Sequence, residues 1–228
     1  EVTNAQFRAF ASGHDSGDFQ DQDLNEDDQP VVNVSWDEAA SYCNWLSGQE
    51  DLTPFYDIEF GKVIGTSPSA TGYRLPSEAE WAWAARRQAS SDVGRTLSKQ
   101  LKFPWGEALP PPERFANYAD RAAGNLVGRT IFGYNDNHGV SAPVGTFAAN
   151  SHGLHDMGGN VAEWVHDHYE IPKQTNVTDH LGPPKGEYRV IKGASWMHGT
   201  ITELRLSFRD YGVEGRDDLG FRIARYAE

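Results

Sequence analysis

The stretch Gly153-Leu-His-Asp-Met-Gly-Gly-Asn-Val-Ala-Glu-Trp164 constrains this chain more than any other. It sets Asp156 and Glu163 on either side of the adjacent glycines Gly158 and Gly159. Glycine enters positive-φ conformations that other residues avoid, so the segment reads as a sharp turn. A turn of this kind aims backbone carbonyls between two carboxylates. A hard cation such as Ca²⁺ takes about six to eight oxygen ligands of those two kinds. The spacing is not that of an EF-hand loop. A plain turn between two strands, with its acids in solvent, accounts for the same residues.

The 228 residues fit one large domain or two small ones. Seven Trp, nine Tyr and eleven Phe supply bulky core material, while 23 Gly and 12 Pro predict a loop-rich fold. The net charge of −13 argues against nucleic acid as a partner, because that binding depends on neutralising phosphates with Lys and Arg. Much of the negative excess falls between Asp15 and Asp28, read as a solvated acidic loop, with a cation-ordered loop as the alternative. No apolar run approaches the ~18 residues of a membrane span. The chain opens on Glu1 with nothing resembling a signal peptide, which leads us to expect a longer parent chain. The single cysteine, Cys43, excludes an intrachain disulfide and is read as a packing residue on a half-buried helix.

Local signals place three helices. Thr3 or Asn4 caps a short one over Val2–Phe10. Ser35 with Glu38, and Ser77 with Glu80, form capping boxes that open two more. Trp36, Ala39, Ala40, Cys43 and Leu46 recur with helical period in the second; the third ends near Arg87. Residues 51–70 read as irregular and 90–101 as a connection. Short extended pieces are predicted at Ala142–Phe147, Val161–His168, Arg189–Ile191, Leu204–Phe208 and Gly220–Arg225. No repeat or linker divides the chain, so we expect one α+β domain over 1–228.

Several separated stretches carry a family likeness: Glu1-Val-Thr-Asn-Ala-Gln-Phe7, Pro30–Trp36, Tyr73-Arg-Leu-Pro-Ser-Glu-Ala-Glu-Trp81, Phe103-Pro-Trp-Gly106, Ala142-Pro-Val-Gly145, Gly153–Trp164, Lys192-Gly-Ala-Ser-Trp196 and Leu219-Gly-Phe-Arg222. In this order they resemble the formylglycine-generating enzyme, or sulfatase-modifying factor, family. The resemblance implies an α+β fold related to C-type lectins, with little regular secondary structure. It also implies one or two structural Ca²⁺ ions. One would be held by Asp156, the carbonyls of Gly159 and Val161, and Glu163. The other would be held by Asn117, Asp136 and the carbonyls of Tyr118 and His138.

Family enzymes oxidise a substrate cysteine to formylglycine with O₂, using a cysteine pair that binds Cu(I). Soft thiolates are the ligands Cu(I) requires. At the matching positions this chain carries His198 and Glu203. The resemblance therefore implies no copper–thiolate site and no formylglycine-generating activity. Two readings follow. In the favoured one the chain is a calcium-stabilised binding or scaffold module for a peptide, glycan or protein partner. In the alternative it is a metal-dependent oxidoreductase of different chemistry on a small peptide-derived substrate, like the pyoverdine-maturation or iron-dependent relatives. There His198 and Glu203 would be the catalytic candidates, with Met197, His166 and His168 as further ligands. Two His and one carboxylate with open positions suit non-haem iron.

Trp196, Met197, His198, Arg205 and Arg209 are the candidate groove residues. Each has a plainer reading: Glu203 paired with Arg205 or Arg209, the arginines in structural ion pairs, and His166 and His168 on a strand surface. A calcium-dependent fold would suit an extracytoplasmic compartment.

Overall fold

The computed structural model describes residues 1–86, 101–171 and 181–226. Three short helices accompany a four-stranded sheet, two of them packing in the cluster around Trp164 and Ile191 and the third in the cluster around Val165 and Val190. Helix α1 spans Asn4–Phe10, α2 Trp36–Gln49 and α3 Glu78–Ala85. All three begin with complete capping boxes, at Thr3/Gln6, Ser35/Glu38 and Ser77/Glu80. Each box satisfies backbone N–H groups that a first helical turn leaves without partners. Arg87 and the connection at 90–101, apart from Leu101, lie outside the described residues.

The acidic segment folds back on itself as the hairpin β1 (Asp18–Phe19) and β2 (Gln22–Asp23). Its turn residues Gln20 and Asp21 have φ of 50° and 64°. It is anchored from below: the buried Asn4 side chain donates to the carbonyls of Leu24 and Glu26. Residues 51–70 are not irregular throughout, since β3 (Tyr56–Glu59) and β4 (Lys62–Thr66) pair antiparallel. That hairpin stands largely in solvent, with Ile64 62% exposed; its burial alternates, but in β4 only between exposed and half-buried positions, which leaves a weak apolar pattern in the sequence.

The main sheet has the order β7-β6-β5-β8, with β5 Ala162–His168, β6 Arg189–Lys192, β7 Asp210–Gly212 and β8 Leu219–Phe221. β5 pairs antiparallel with β6 and parallel with β8. Its buried residues run from Ala162 through Asp167 without alternation, because both faces are covered. Two of the predicted strands are absent. Residues 142–147 turn at Gly145 (φ 81°), and Val144 donates its N–H to Asp28 instead of a ladder. Residues 204–208 form turns closed by Leu204 N–H to Thr200 and Phe208 N–H to Arg205.

The largest core cluster joins α1, α2 and the sheet through Phe7, Tyr42, Cys43, Phe55, Trp164 and Phe221. Trp164 and Trp36 also donate their indole N–H groups, to the carbonyls of Val34 and Val165. No helix among the described residues is long and apolar enough to cross a membrane.

Candidate functional site

The turn before β5 is built from left-handed residues, with Asp156 at φ 59°, Gly158 at 89° and Asn160 at 68°. A Cβ on Gly159 would lie 2.7 Å from that of Ala116, so this close approach requires glycine. Asp156 Oδ2 accepts from Gly145 N–H at 2.8 Å, while its Oδ1 is buried without a partner. Burial raises the Asp156 carboxyl above its ordinary range.

Glu163 faces elsewhere. Its oxygens accept from Arg222 Nε at 2.7 Å and Nη2 at 2.6 Å, and from the Trp81 indole N–H at 2.6 Å. The turn therefore offers a cation the free oxygen of Asp156, but Glu163 is held in a guanidinium fork that would repel one. Gly159 is buried, and its N–H closes the turn on the Asp156 carbonyl at 3.3 Å. Beside it, Glu1 accepts from Asn160 Nδ2 at 2.8 Å and Val161 N–H at 3.3 Å. Burial first, then Asp156, pushes the Glu1 carboxyl up to about 8.

The second proposed ligand set is brought together. Asn117 is buried, and its Nδ2 donates to Val140 O and Asn160 Oδ1. That leaves Asn117 Oδ1 buried with no partner. Asp136, also buried, accepts from Tyr118 N–H and His138 N–H at 2.9 Å each. Burial first, and further out the neighbouring Asp120, push its carboxyl up to about 7. Asp120 is itself buried, accepts from Asp136 N–H and Ala122 N–H, and was not among the sequence candidates. All four carboxylate oxygens of Asp136 and Asp120 accept backbone N–H groups, so Asn117 Oδ1 is the oxygen of this set left without a donor. The Asn117–Asn160 bond links this loop to the Asp156 turn.

The segment at Lys192–Arg209 differs from the groove the sequence suggested. Trp196 is fully buried, edge-on to Phe19 at 5.1 Å, so it is core and lines no groove. His198 Nδ1 accepts from Ser195 N–H at 3.1 Å, and Nε2 stands 3.9 Å from Asp218. Glu203 accepts from Thr200 N–H at 2.9 Å, capping its own turn; it pairs with neither Arg205 nor Arg209. Arg209 forks onto Glu78 at 2.6 and 2.8 Å, and Arg216 bridges Asp210 and Asp218. Arg205 is exposed and Met197 half-buried. Lys192 donates to Phe208 O at 2.6 Å, and burial lowers its ammonium to about 8.

Cys43 is buried in the main core, and burial raises its thiol far above the ordinary range. His166, expected as a possible surface residue, is buried against the Tyr56 hydroxyl at 3.2 Å. Among the described residues no three His, Cys, Asp or Glu side chains converge as they would to hold a metal ion of any kind.

Residues 1–227 match the sulfatase-modifying factor enzyme 1-like domain family. The chain belongs to this family. It is 32% identical over 206 residues to the formylglycine-generating enzyme of Bos taurus, covering 88% of this chain and 45% of the relative. It is 28% identical over 245 residues to the chaperone protein LppX of Paenibacillus barcinonensis, covering 99% of this chain and 78% of the relative. The crystal structure of CarF superimposes with a TM-score of 0.68 at 26% identity, over all of this chain and 84% of CarF. This chain thus spans under half the length of the formylglycine-generating enzyme it matches. The fold is that of the family: α+β, sparse in regular structure, as its residue order implied.

Proposed function

We propose that this domain is a non-oxidising member of its family, a binding module whose loops are braced by Ca²⁺ at Asn117–Asp136. The observation that carries this reading is the donor set. The sole thiol lies in the core, and the two positions that family oxidases fill with cysteines hold side chains bonded into their own turns. A Cu(I) centre needs soft thiolates, and this segment supplies none. The iron-oxidase alternative needs His198 and Glu203 to turn away from Ser195 and Thr200, and no observation favours that.

The partner we propose is an extended polypeptide segment. A groove of about 740 Å³ runs between α2, α3 and the chain beyond β8, walled by Tyr42, Trp45, Leu46, Trp83 and Ile223. Trp83 is 58% exposed. Phe221 O accepts from Val2 N–H, and Ala224 exchanges both its backbone bonds with Arg74. Ile223 between them makes no backbone hydrogen bond among the described residues, which supports strand addition along the groove. The likeness to a relative named as a chaperone supports the same reading. A calcium-braced module would work in an extracytoplasmic space, where calcium is abundant.

The test is an immobilised array of short peptides probed with the wild-type domain and with Trp83→Ala. The reading predicts selective capture of sequences with apolar residues at alternate positions, weakened in the variant. No sequence preference, or identical patterns for both proteins, would sink it.

A further inference from the structure

The β3–β4 hairpin does not lie flat on the sheet. Between it, the ends of β5 and β6, and residues 181–184 there is a cavity of about 310 Å³, lined by His166, His168, Arg189 and Thr66 among others. Its chemistry is one-sided. Arg189 stacks its guanidinium 3.3 Å over the Trp36 ring and spends one N–H on His166 O at 2.8 Å. No carboxylate among the described residues pairs with it, although Arg209, Arg216 and Arg222 each have one. Burial lowers its guanidinium to about 10, only partly offset by Tyr56, Asp37 and Asp167 acting through space. A partly desolvated, unneutralised cation is costly to keep, and an anion would offset that cost.

The imidazoles supply donors, not a second charge. The Tyr56 hydroxyl accepts from Leu75 N–H at 3.1 Å and is hydrogen-bonded to His166 Nδ1 at 3.2 Å. His166 Nε2 makes no hydrogen bond to protein among the described residues, so the Nε2–H tautomer has a donor to offer the cavity. Burial pushes its imidazolium down to about 3, so it stays neutral. His168, two residues on along β5, lines the same space and is also lowered by burial. A divalent metal would meet the Arg189 charge here, with no carboxylate among the cavity's lining residues to balance it. Neutral imidazole N–H groups beside a stacked guanidinium fork instead suit oxygen anions, which accept from both.

We propose that the cavity bounded by Arg189, His166 and His168 binds a small oxyanion, a carboxylate or phosphate group on a molecule of metabolite size. The volume is at the lower end of small-ligand sites, roughly 300 Å³, larger than a bare ion needs. The site is separate from the Trp83 groove, so either can fail without the other.

The test uses inorganic phosphate and succinate as separate probes, against chloride at matched ionic strength. Histidine side-chain NMR follows Nε2 of His166 and His168, and Trp36 fluorescence reports on the stacked guanidinium. The expected result is saturable change at these groups with at least one probe. Arg189→Lys should keep the charge, lose the fork and weaken binding about tenfold, the scale of one charge-assisted hydrogen bond. A His168→Ala variant, remote from the Tyr56–His166 bond, guards against loss of folding in the arginine variant and should also weaken binding. Stronger response to phosphate than to succinate would assign a phosphoryl ligand, and the reverse a carboxylate. No saturable response to either anion, or His166 and His168 shifts produced by Zn²⁺ or Fe²⁺ alone, would overturn the proposal.

Discussion

Arg222→Met should destabilise the domain more than any single surface change. Glu163 is 1% exposed and Arg222 13%, and they meet through two bonds of 2.6 and 2.7 Å. Removing the guanidinium leaves a buried carboxylate whose one remaining strong donor is the Trp81 indole. Breaking such a pair from one side costs about 3–5 kcal/mol, because the surviving charge stays buried without compensation. For a chain of this size each kcal/mol moves the melting temperature by about 2–4 °C, so a fall of roughly 6–20 °C follows. Urea unfolding of wild type, Arg222→Met, Glu163→Gln and the double variant measures it. The double variant should recover part of the loss, since both charges are then gone. A cost for Arg222→Met of less than about 1 kcal/mol, the worth of an exposed pair, would refute the assignment of Glu163 to this ion pair.

Three further outcomes are expected. Adding Ca²⁺ after chelation should raise the melting temperature of wild type, because a ligand bound only by the folded state stabilises it; Asp136→Asn should abolish that rise, and calorimetry showing no calcium effect on wild type would contradict the brace. His166 stays neutral when folded down to about 3 but takes a proton when unfolded below its ordinary 6.5. Stability should therefore be full above 6.5 and fall by up to about 1.4 kcal/mol per pH unit below it, a slope that His166→Gln should flatten in denaturation series across that window. Glu80→Ala should cost more than Ser77→Ala, whose loss of a cap is worth about 1 kcal/mol, because Glu80 also forks onto Arg74, a side chain only 1% exposed; equal losses in urea would contradict this.

What the sequence displayed was its local physics. Ser35–Glu38 and Ser77–Glu80 announce helices because a capping box is closed within four residues. β5 and β6 were readable as short extended pieces set between turns. The β3–β4 hairpin was not, since it carries little buried surface to pattern its residues. The candidate site was half legible. Asn117 and Asp136 came from family resemblance, and the Tyr118 N–H bond to Asp136 sets their segments side by side; the buried Asp120 next to Asp136 was missed although it stands only three residues from Asn117. Glu163 was placed in the right turn with the wrong neighbour. Its partner Arg222 is 59 residues away, and only the parallel pairing of β5 with β8 brings them together. Trp196 misled for a related reason: position beside an active segment says nothing about which way an indole packs.

The most direct measurement is turnover of a sulfatase-derived peptide bearing its substrate cysteine, incubated with the domain, Cu(I), reductant and O₂ and read by mass spectrometry. The account predicts that the cysteine remains unmodified at the level of a protein-free control. Formylglycine accumulating in proportion to the domain, in wild type and in Cys43→Ser alike, would show that the residues at 198 and 203 support the oxidation after all.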